Sequence, residues 1–559
     1  TGPEYGDEDM RNVKMAMPTM DMAMEAESGI GFSVGGAKDI NNFRENILAN
    51  YFPIPTDVTY EGLFYDYYFD TGQEEECKKL FCPSYSSAVS ADPFSKNDDY
   101  YLSVGLNSNL TESDFQRKKL NLMVVLDISG SMSSAFDSYY YDQLGTGVLE
   151  ESPEEMEARN KSKMEIANEA VVGLLDHLND DDRFGMVLFD DYAYLGKPIS
   201  AVGESDMDKI KEHILEITPE GGTYMEAGME MGTELFDEFL DVDPEVYENR
   251  IIFLTDAMPN IGATDEDSLQ GMFVENAENG IYTTFIGIGV DFNTELTEAL
   301  SKVRGANYYS VHSSSEFMTR MDDEFEYMVT PLVFDLELKL EGEGFEIEKV
   351  YGSPEADEAT GELMKVNTLF PSKTVDGETR GGLVLLKLKK TAEEGELKLS
   401  ASYKDRNGVE DSDVREIVFD AEGEEELYAN NGIRKGIVLS RYADLLISWM
   451  IDEYPEREEL YYDDYLYEEE PRIEPFDDEV VEDSDSGPLI TMEKGIMCPP
   501  PFPPYMLNKW ERLSVELAVS DHYKELFKEF KVYLEAEMKI LGDDTLESEL
   551  EVLDILIGS

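Results

Sequence analysis

The stretch Leu120 to Met132, reading LNLMVVLDISGSM, decides the fold. Its first part is mostly aliphatic. A run that is apolar on both faces and rich in Val and Leu predicts a parallel strand buried on both sides. Its second part, Asp127-Ile-Ser129-Gly-Ser131, predicts a loop at the carboxyl end of that strand, where open α/β sheets place their ligands. One carboxylate and two hydroxyls at alternate positions form half of a divalent-cation site. The other half has to come from elsewhere in the chain.

Two pieces supply it. Thr218-Pro-Glu-Gly-Gly-Thr223 is a Gly-bearing turn just before a helical pattern, which leaves the Thr223 hydroxyl exposed. Phe253-Leu-Thr-Asp256-Ala-Met-Pro predicts a buried strand ending in Asp, with a loop after it. The candidate metal ligands are therefore Asp127, Ser129, Ser131, Thr223 and Asp256. Hard oxygen donors of this kind suit Mg²⁺ first, with Ca²⁺ or Mn²⁺ next, and not Zn²⁺. Only two formal negative charges surround the dication, so it keeps Lewis acidity for an outside ligand. Taken singly, each residue has a local explanation: the hydroxyls cap helices and the Asp residues close strand ends. Five of them at the ends of the expected elements outweigh that explanation.

Working outward, strand and helix patterns alternate from residue 119 to residue 330. Helices are expected over Lys161–Leu178, Asp206–Ile217, Tyr224–Phe239, Glu266–Asn279, Glu295–Val303 and Ser315–Val329. Strands are expected over Arg183–Phe189, Arg250–Thr255, Ile281–Val290 and Asn307–Val311. That alternation predicts an α/β, doubly wound, mainly parallel sheet. On either side the apolar period drops to two. Residues 39–118, with pieces such as Thr59–Tyr65 and Tyr100–Leu106, and residues 331–423, with Asn407-Gly408 as a hairpin turn, read as two parts of one β-sandwich-like domain into which the α/β domain is inserted. Residues 1–38 read as a Met-rich tail. Residues 424–559 read as a helical region, with Val438, Tyr442, Leu445 and Trp449 on one face, interrupted by an acidic, Tyr- and Pro-rich linker over 452–504.

Composition bounds the partners. The chain of 559 residues carries 123 acidic against 45 basic residues, a net charge of −78. Nucleic-acid binding needs a basic footprint and is excluded; docking on anionic lipid is disfavoured for the same reason. Such self-repulsion needs cations or salt to screen it, which points to saline or Ca²⁺-rich surroundings, with a halophile's cytosol as the competing setting. No apolar run is long enough for a membrane span. A first residue of Thr rather than Met fits a removed leader. Among the three cysteines, Cys77 and Cys82 are spaced to form a disulfide, and Asn109 and Asn160 sit in glycosylation sequons. The histidines are scattered, no nucleophilic or phosphate-binding pattern is present, and a non-enzymatic protein is expected. Asp180–Asp182 and Asp190–Asp191 are short acidic runs that could hold Ca²⁺ but are expected to be solvated.

The five oxygen ligands together resemble the metal-ion-dependent adhesion site of the von Willebrand factor type A (vWA) domain, whose pattern Asp-x-Ser-x-Ser, Thr, Asp is matched at all five positions. The resemblance spans residues 119–330. It implies a doubly wound, Rossmann-like fold, a bound divalent cation, and a partner carboxylate that completes the coordination. More loosely, Asn41–Ile47 and Asn50-Tyr-Phe-Pro, with strands on both sides of the inserted domain, resemble secreted vWA proteins of the bacterial chloride-channel-homologue and inter-α-trypsin-inhibitor heavy-chain type. One departure stands beside the site. Ser133–Asn160 intervenes before the first helix, with a Tyr cluster at Phe136–Asp142, either flanking the site or standing apart from it. The expected function is metal-dependent protein binding or adhesion, extracellular or at the cell surface, through an acidic residue of a partner and with self-assembly as an added role. The alternatives are an intracellular vWA subunit scaffolding an ATPase- or chelatase-type complex, or a protein whose cation is purely structural.

Overall fold

A computed structural model describes residues 29–113, 115–142, 144, 161–311, 324–342, 344–354, 363–392, 397–417, 427–454 and 509–559. Among them a seven-stranded sheet runs in the order Gly36–Ala37, Asn307–Val311, Ile281–Ile288, Tyr247–Thr255, Lys119–Asp127, Arg183–Phe189, Ala193–Ala201. Every neighbouring pair is parallel except the last. The Lys119–Asp127 strand is interior because its residues can be buried on both faces. Leu120, Leu122, Val124 and Leu126 pack into one core with Ala167, Ala170 and Leu174 of the helix Lys163–Asp176. Met123 and Val125 pack into the opposite core with Met225 and Met229 of the helix Met225–Glu234, and with Leu269 and Phe273 of the helix Glu266–Glu278. Each such side chain contributes about 1.5–3 kcal/mol relative to exposure.

From this central strand the chain first builds outward to Arg183–Phe189, then returns to lay Tyr247–Thr255 on the other side. The reversal opens a crevice at the carboxyl ends of the two strands, the place where doubly wound sheets bind ligands. The edge strand Ala193–Ala201 was not legible in the sequence. It is largely exposed and carries no apolar alternation.

The second sheet has twelve strands, all paired antiparallel, and draws on segments before and after the α/β domain. Asp98–Thr111 pairs with Leu383–Lys390 and with Cys82–Ala91. Val333–Gly342 and Phe345–Tyr351 follow each other in the chain yet pair with different strands, so the sheet doubles over. Phe32, Leu102, Val104, Leu338, Ile347, Leu386 and Leu399 fill the core between its halves, a sandwich-like arrangement. The Asn407-Gly408 turn joins Leu397–Asp405 to Glu410–Ile417, with Gly408 at φ +75°, and Asp405 Oδ1 accepts the Asn407 and Val409 amides. The helices Asn431–Glu453, Asp521–Leu541 and Glu547–Gly558 form the C-terminal region. Trp449, Tyr442, Phe527, Phe530 and Leu553 close over Phe43, Ile47, Leu63 and Phe64. No helix among the described residues is long and apolar enough to cross a membrane.

Three expectations need correction. The Met-rich tail does not reach residue 38: Gly29–Val34 is a strand between Leu363–Val375 and Asp98–Thr111, and its alternate residues Ile30, Phe32 and Val34 face the core. Residues 1–28 lie outside the described residues. The β region does not begin at 39 either. Asn41–Leu48 is a helix, and Thr59–Tyr65, read as a strand from its aromatic residues, is a short helix over Tyr60–Tyr65, capped where Thr59 Oγ1 accepts the Gly62 amide. Its apolar residues are buried all round, which erased the helical period. The C-terminal region opens with a short strand, Leu427–Tyr428, before its first helix. Residues 455–508, most of the expected linker, and 312–323, most of the expected Ser315–Val329 helix, are outside the described residues.

Candidate metal centre

Asp127 ends the central strand, fully buried. Its Oδ1 accepts the Ser129 amide at 2.9 Å, which curls the loop back on itself, and its Oδ2 accepts the Thr255 hydroxyl at 2.6 Å. Thr255 in turn accepts the amide of Ala257, a residue held at φ +55° directly after Asp256. A non-Gly residue there costs about 1–3 kcal/mol, and the surrounding bonds hold it. Ser129 and Ser131 bring their hydroxyls to 3.1 Å from each other. The turn Thr218–Thr223 is pinned to this loop by the Gly130 amide donating to Gly221 O at 2.9 Å, and the Thr223 amide donates to Asn260 Oδ1 at 2.8 Å. Asp256 follows Tyr247–Thr255, the neighbouring strand, and is fully buried. The five candidate ligands thus come from two strand-end loops and the turn Thr218–Thr223 between two helices.

The electrostatics of the crevice are uneven. Burial, and next the nearby Asp256, push the Asp127 carboxyl up to about 7. Lys163, the first residue of its helix, is fully buried with its Nζ 3.1 Å from Asp256 Oδ2 and 2.5 Å from Asp291 Oδ1. Burial opposes its charge, but Asp291 and Asp256 together carry the ammonium above its ordinary value. Asp291 is raised by its own burial, with Lys163 working against the shift. Asp256 and Asp291 thus share Lys163 while Asp127 stands close to Asp256, and Asp256 Oδ1 is buried with no hydrogen-bond donor from the protein. A buried anionic oxygen without a donor is costly. A divalent cation would remove that cost, and the donors fit one. Octahedral Mg²⁺ with bonds of about 2.1 Å places adjacent ligands about 3 Å apart, close to the Ser129–Ser131 hydroxyl separation.

A small cavity of about 70 Å³ opens over this cluster, lined by Gly130, Ser131, Gly221, Thr223, Met258, Asn260, Tyr140, Tyr141 and Glu511. Tyr140 and Tyr141 come from the Tyr cluster that the sequence left either flanking the site or apart from it; Glu511 was not found from the sequence. Tyr140 and Tyr141 belong to the segment after Ser133, whose described part, 133–142 and 144, flanks the site. The Tyr140 amide donates to Asp291 Oδ2 at 2.8 Å and Tyr139 is buried. The rest of that segment is outside the described residues. Lys163 had left one signal: it lies on the apolar face of its helix, in line with Ala167, Ala170 and Leu174. Glu511 had left none.

The other sequence candidates fall elsewhere. Asp182 is structural, accepting Arg117 at 2.6 Å and the Leu120 amide at 2.8 Å, and Asp190 folds its own loop by accepting the Tyr192 amide. A disulfide joins Cys77 and Cys82 beside a cleft of about 690 Å³ that shares no residue with the cation cluster. Asn109 is exposed on the Asp98–Thr111 strand, and Asn160 is outside the described residues. Among the described residues no group of three or more His, Cys, Asp or Glu side chains is placed to hold a metal. The candidate centre depends on its hydroxyls.

Residues 122–258 match the sequence profile of the von Willebrand factor type A domain, and all five candidate ligands lie within the match. Inter-alpha-trypsin inhibitor heavy chain H4 of Homo sapiens is 27% identical over 175 residues, covering 31% of this chain and 19% of that protein. The uncharacterized protein YfbK of Escherichia coli K12 is 22% identical over 169 residues, covering 30% of this chain and 28% of its own length. This chain thus spans less than a third of either relative. The solved structure of a von Willebrand factor type A protein from Catenulispora acidiphila aligns over 68% of this chain and 81% of its own, with 13% identity and a TM-score of 0.39. Strand order, switch point and profile agree: the α/β portion of this chain is a von Willebrand factor type A domain.

Proposed function

We propose that the vWA domain holds a divalent cation, Mg²⁺ first, with Asp127, Ser129, Ser131, Thr223 and Asp256, and that through it the protein binds an acidic side chain of a protein partner. The observation that carries this reading is Asp256 Oδ1, a buried carboxylate oxygen without a protein donor, beside hydroxyls gathered at the sheet's switch point. The cation is a binding element and not a catalyst. Among the described residues the cavity's lining is Gly, Ser, Thr, Tyr, Met, Asn and Glu, and its one carboxylate, Glu511, accepts the Tyr141 hydroxyl. The strongly acidic composition and the Cys77–Cys82 disulfide support an extracellular or cell-surface setting. The Met-rich tail and the acidic, Tyr-rich linker over 452–504, which lie mostly outside the described residues, are the stretches assigned to self-assembly in this reading.

The test is capture of partners from native extract by the full chain, with and without EDTA, beside Asp127→Ala. Capture should be lost in both. Capture that survives EDTA and the substitution would reduce the cation to a structural part at most. Because site and partner are both acidic, capture should also weaken as salt is removed and screening falls; capture that strengthens would exclude an acidic partner.

A further inference from the structure

Glu511 lies 255 positions from Asp256 in sequence and shares the cavity with Ser131 and Thr223. Its side chain is buried, at 8% exposure, and Tyr141 donates its hydroxyl to Oε1 at 2.6 Å. The segment that carries it is fastened on both sides. Before it, the Trp510 indole donates to Thr264 O at 2.6 Å and Trp510 O accepts Asn293 Nδ2 at 2.7 Å. After it, Arg512 donates to Phe292 O at 2.8 Å and to the Tyr139 hydroxyl at 2.9 Å, and Ser514 donates to Asp142 Oδ1 at 2.7 Å. Glu511 is therefore placed, not merely passing.

The placement is electrostatically adverse without a cation. Asp256 and Asp291 gather around Lys163, with Asp127 close to Asp256 and the Arg512 guanidinium also acting on Asp291, and a further carboxylate at the same crevice adds negative charge in a poorly solvated space. A dication at the hydroxyl cluster reverses the sign of that interaction.

Resting on the cation site proposed above, we propose that Glu511 is this chain's own acidic ligand for the cation. The C-terminal segment closes the site in cis. The coordination place open to an outside carboxylate is held by Glu511, and a partner's acidic side chain reaches the metal only in competition with it.

The experiment uses the full chain and Mn²⁺ as probe, with affinity read by electron paramagnetic resonance and amide hydrogen exchange followed over residues 509–519. Glu511→Gln keeps the volume and an acceptor for Tyr141, so a purely structural role survives the change, and its melting temperature in EDTA reports folding. Glu220→Gln removes the same charge from an exposed position on the nearby turn. In the wild type, Mn²⁺ should slow exchange over 509–519, and excess glutarate should speed it again. Glu511→Gln should weaken Mn²⁺ binding roughly 10- to 100-fold and abolish the metal-dependent protection, while Glu220→Gln should change affinity by about twofold or less. Equal effects of the two variants, or protection that persists in Glu511→Gln, would overturn the assignment. If the wild type binds no Mn²⁺, or Asp127→Ala binds it as well as the wild type, the cation site itself falls. If Asp127→Ala alone loses binding, only the role of Glu511 falls.

Discussion

Asp57 and Asp256 are both buried carboxylates near the carboxyl end of the parallel sheet, and their surroundings are wired in opposite ways. Asp57 is saturated. Its Oδ1 accepts Asn42 Nδ2 at 3.0 Å and Thr294 Oγ1 at 2.7 Å, its Oδ2 accepts the Ile54 amide at 2.9 Å, and Arg512 approaches both oxygens at 3.3–3.4 Å. Asp256 has Lys163 on one oxygen and no protein donor on the other, with side-chain hydroxyls standing by. The saturated carboxylate is a strut that locks the N-terminal helices, the vWA domain and the C-terminal segment together. The unsaturated one is a place kept for something else. Burial and charge alone do not separate the two; the count of donors does.

Three measurements would break or sharpen this contrast. Removing the strut should have the largest effect. Arg512→Ala leaves Asp57 without its counter-charge and frees the segment around Trp510, at a cost of about 3–5 kcal/mol, read by denaturant unfolding; a loss no larger than that of a surface substitution would mean that Asp57 does not depend on Arg512. Filling the vacant valence comes next. Mg²⁺ at a hundredfold excess over its Kd should stabilise the wild type by about 2.7 kcal/mol, read as a rise in melting temperature. Asp127→Ala should gain nothing, and in EDTA it should already be less stable than the wild type, since the Ser129 amide and the Thr255 hydroxyl lose their buried acceptor. Equal gains in both proteins would place the cation elsewhere.

The third measurement concerns Glu61, a buried carboxylate whose Oε1 has no hydrogen-bond partner but which stands outside the hydroxyl cluster. Burial, with Glu298 adding to it, pushes it up to about 8 from 4.5. Over that window the unfolded chain releases the proton while the folded chain keeps it. Its contribution to stability is therefore full below about 4.5 and is lost as pH rises towards 8, with a slope of at most about 1.4 kcal/mol per pH unit. Glu61→Gln should remove that slope when unfolding is measured across the window. A wild type that runs parallel to the variant would show that Glu61 is ionised in the fold.

What was legible in the sequence is what the chain writes locally. Leu120–Leu126 is apolar at every position but the buried Asn121, and Asp127, Ser129 and Ser131 are close because they are near neighbours in the chain. Thr223 and Asp256 could be added because each sits at the end of its own recognisable element. The alternating strands Asp98–Thr111 and Leu397–Asp405 were legible for the same reason. The helix Tyr60–Tyr65 was not, because Leu63, Phe64 and Tyr65 are all buried and a helix covered on every side has no polar face to set its period. Gly29–Val34 was hidden beside a Met-rich stretch that dominated the composition. The wall of the cavity was least legible of all. Tyr141 and Glu511 meet across 370 positions, and no spacing rule connects them.

Trp510 also has a meaning in time. The vWA core counts it as a member alongside Phe292, Leu296 and Tyr308, while Gly36 and Ala37, which finish one edge of the sheet and of which Ala37 joins the same core, precede the domain. Synthesis delivers the edge first and the Trp last, and domains begin to fold as they emerge. Through the making of the antiparallel sheet's later strands and the first long C-terminal helix, the vWA core waits with a gap the size of an indole. A chain stopped anywhere in that interval carries every ligand of the proposed cation site and an unfinished domain around it. The segment around Trp510 thus sets the moment at which the vWA core can be completed.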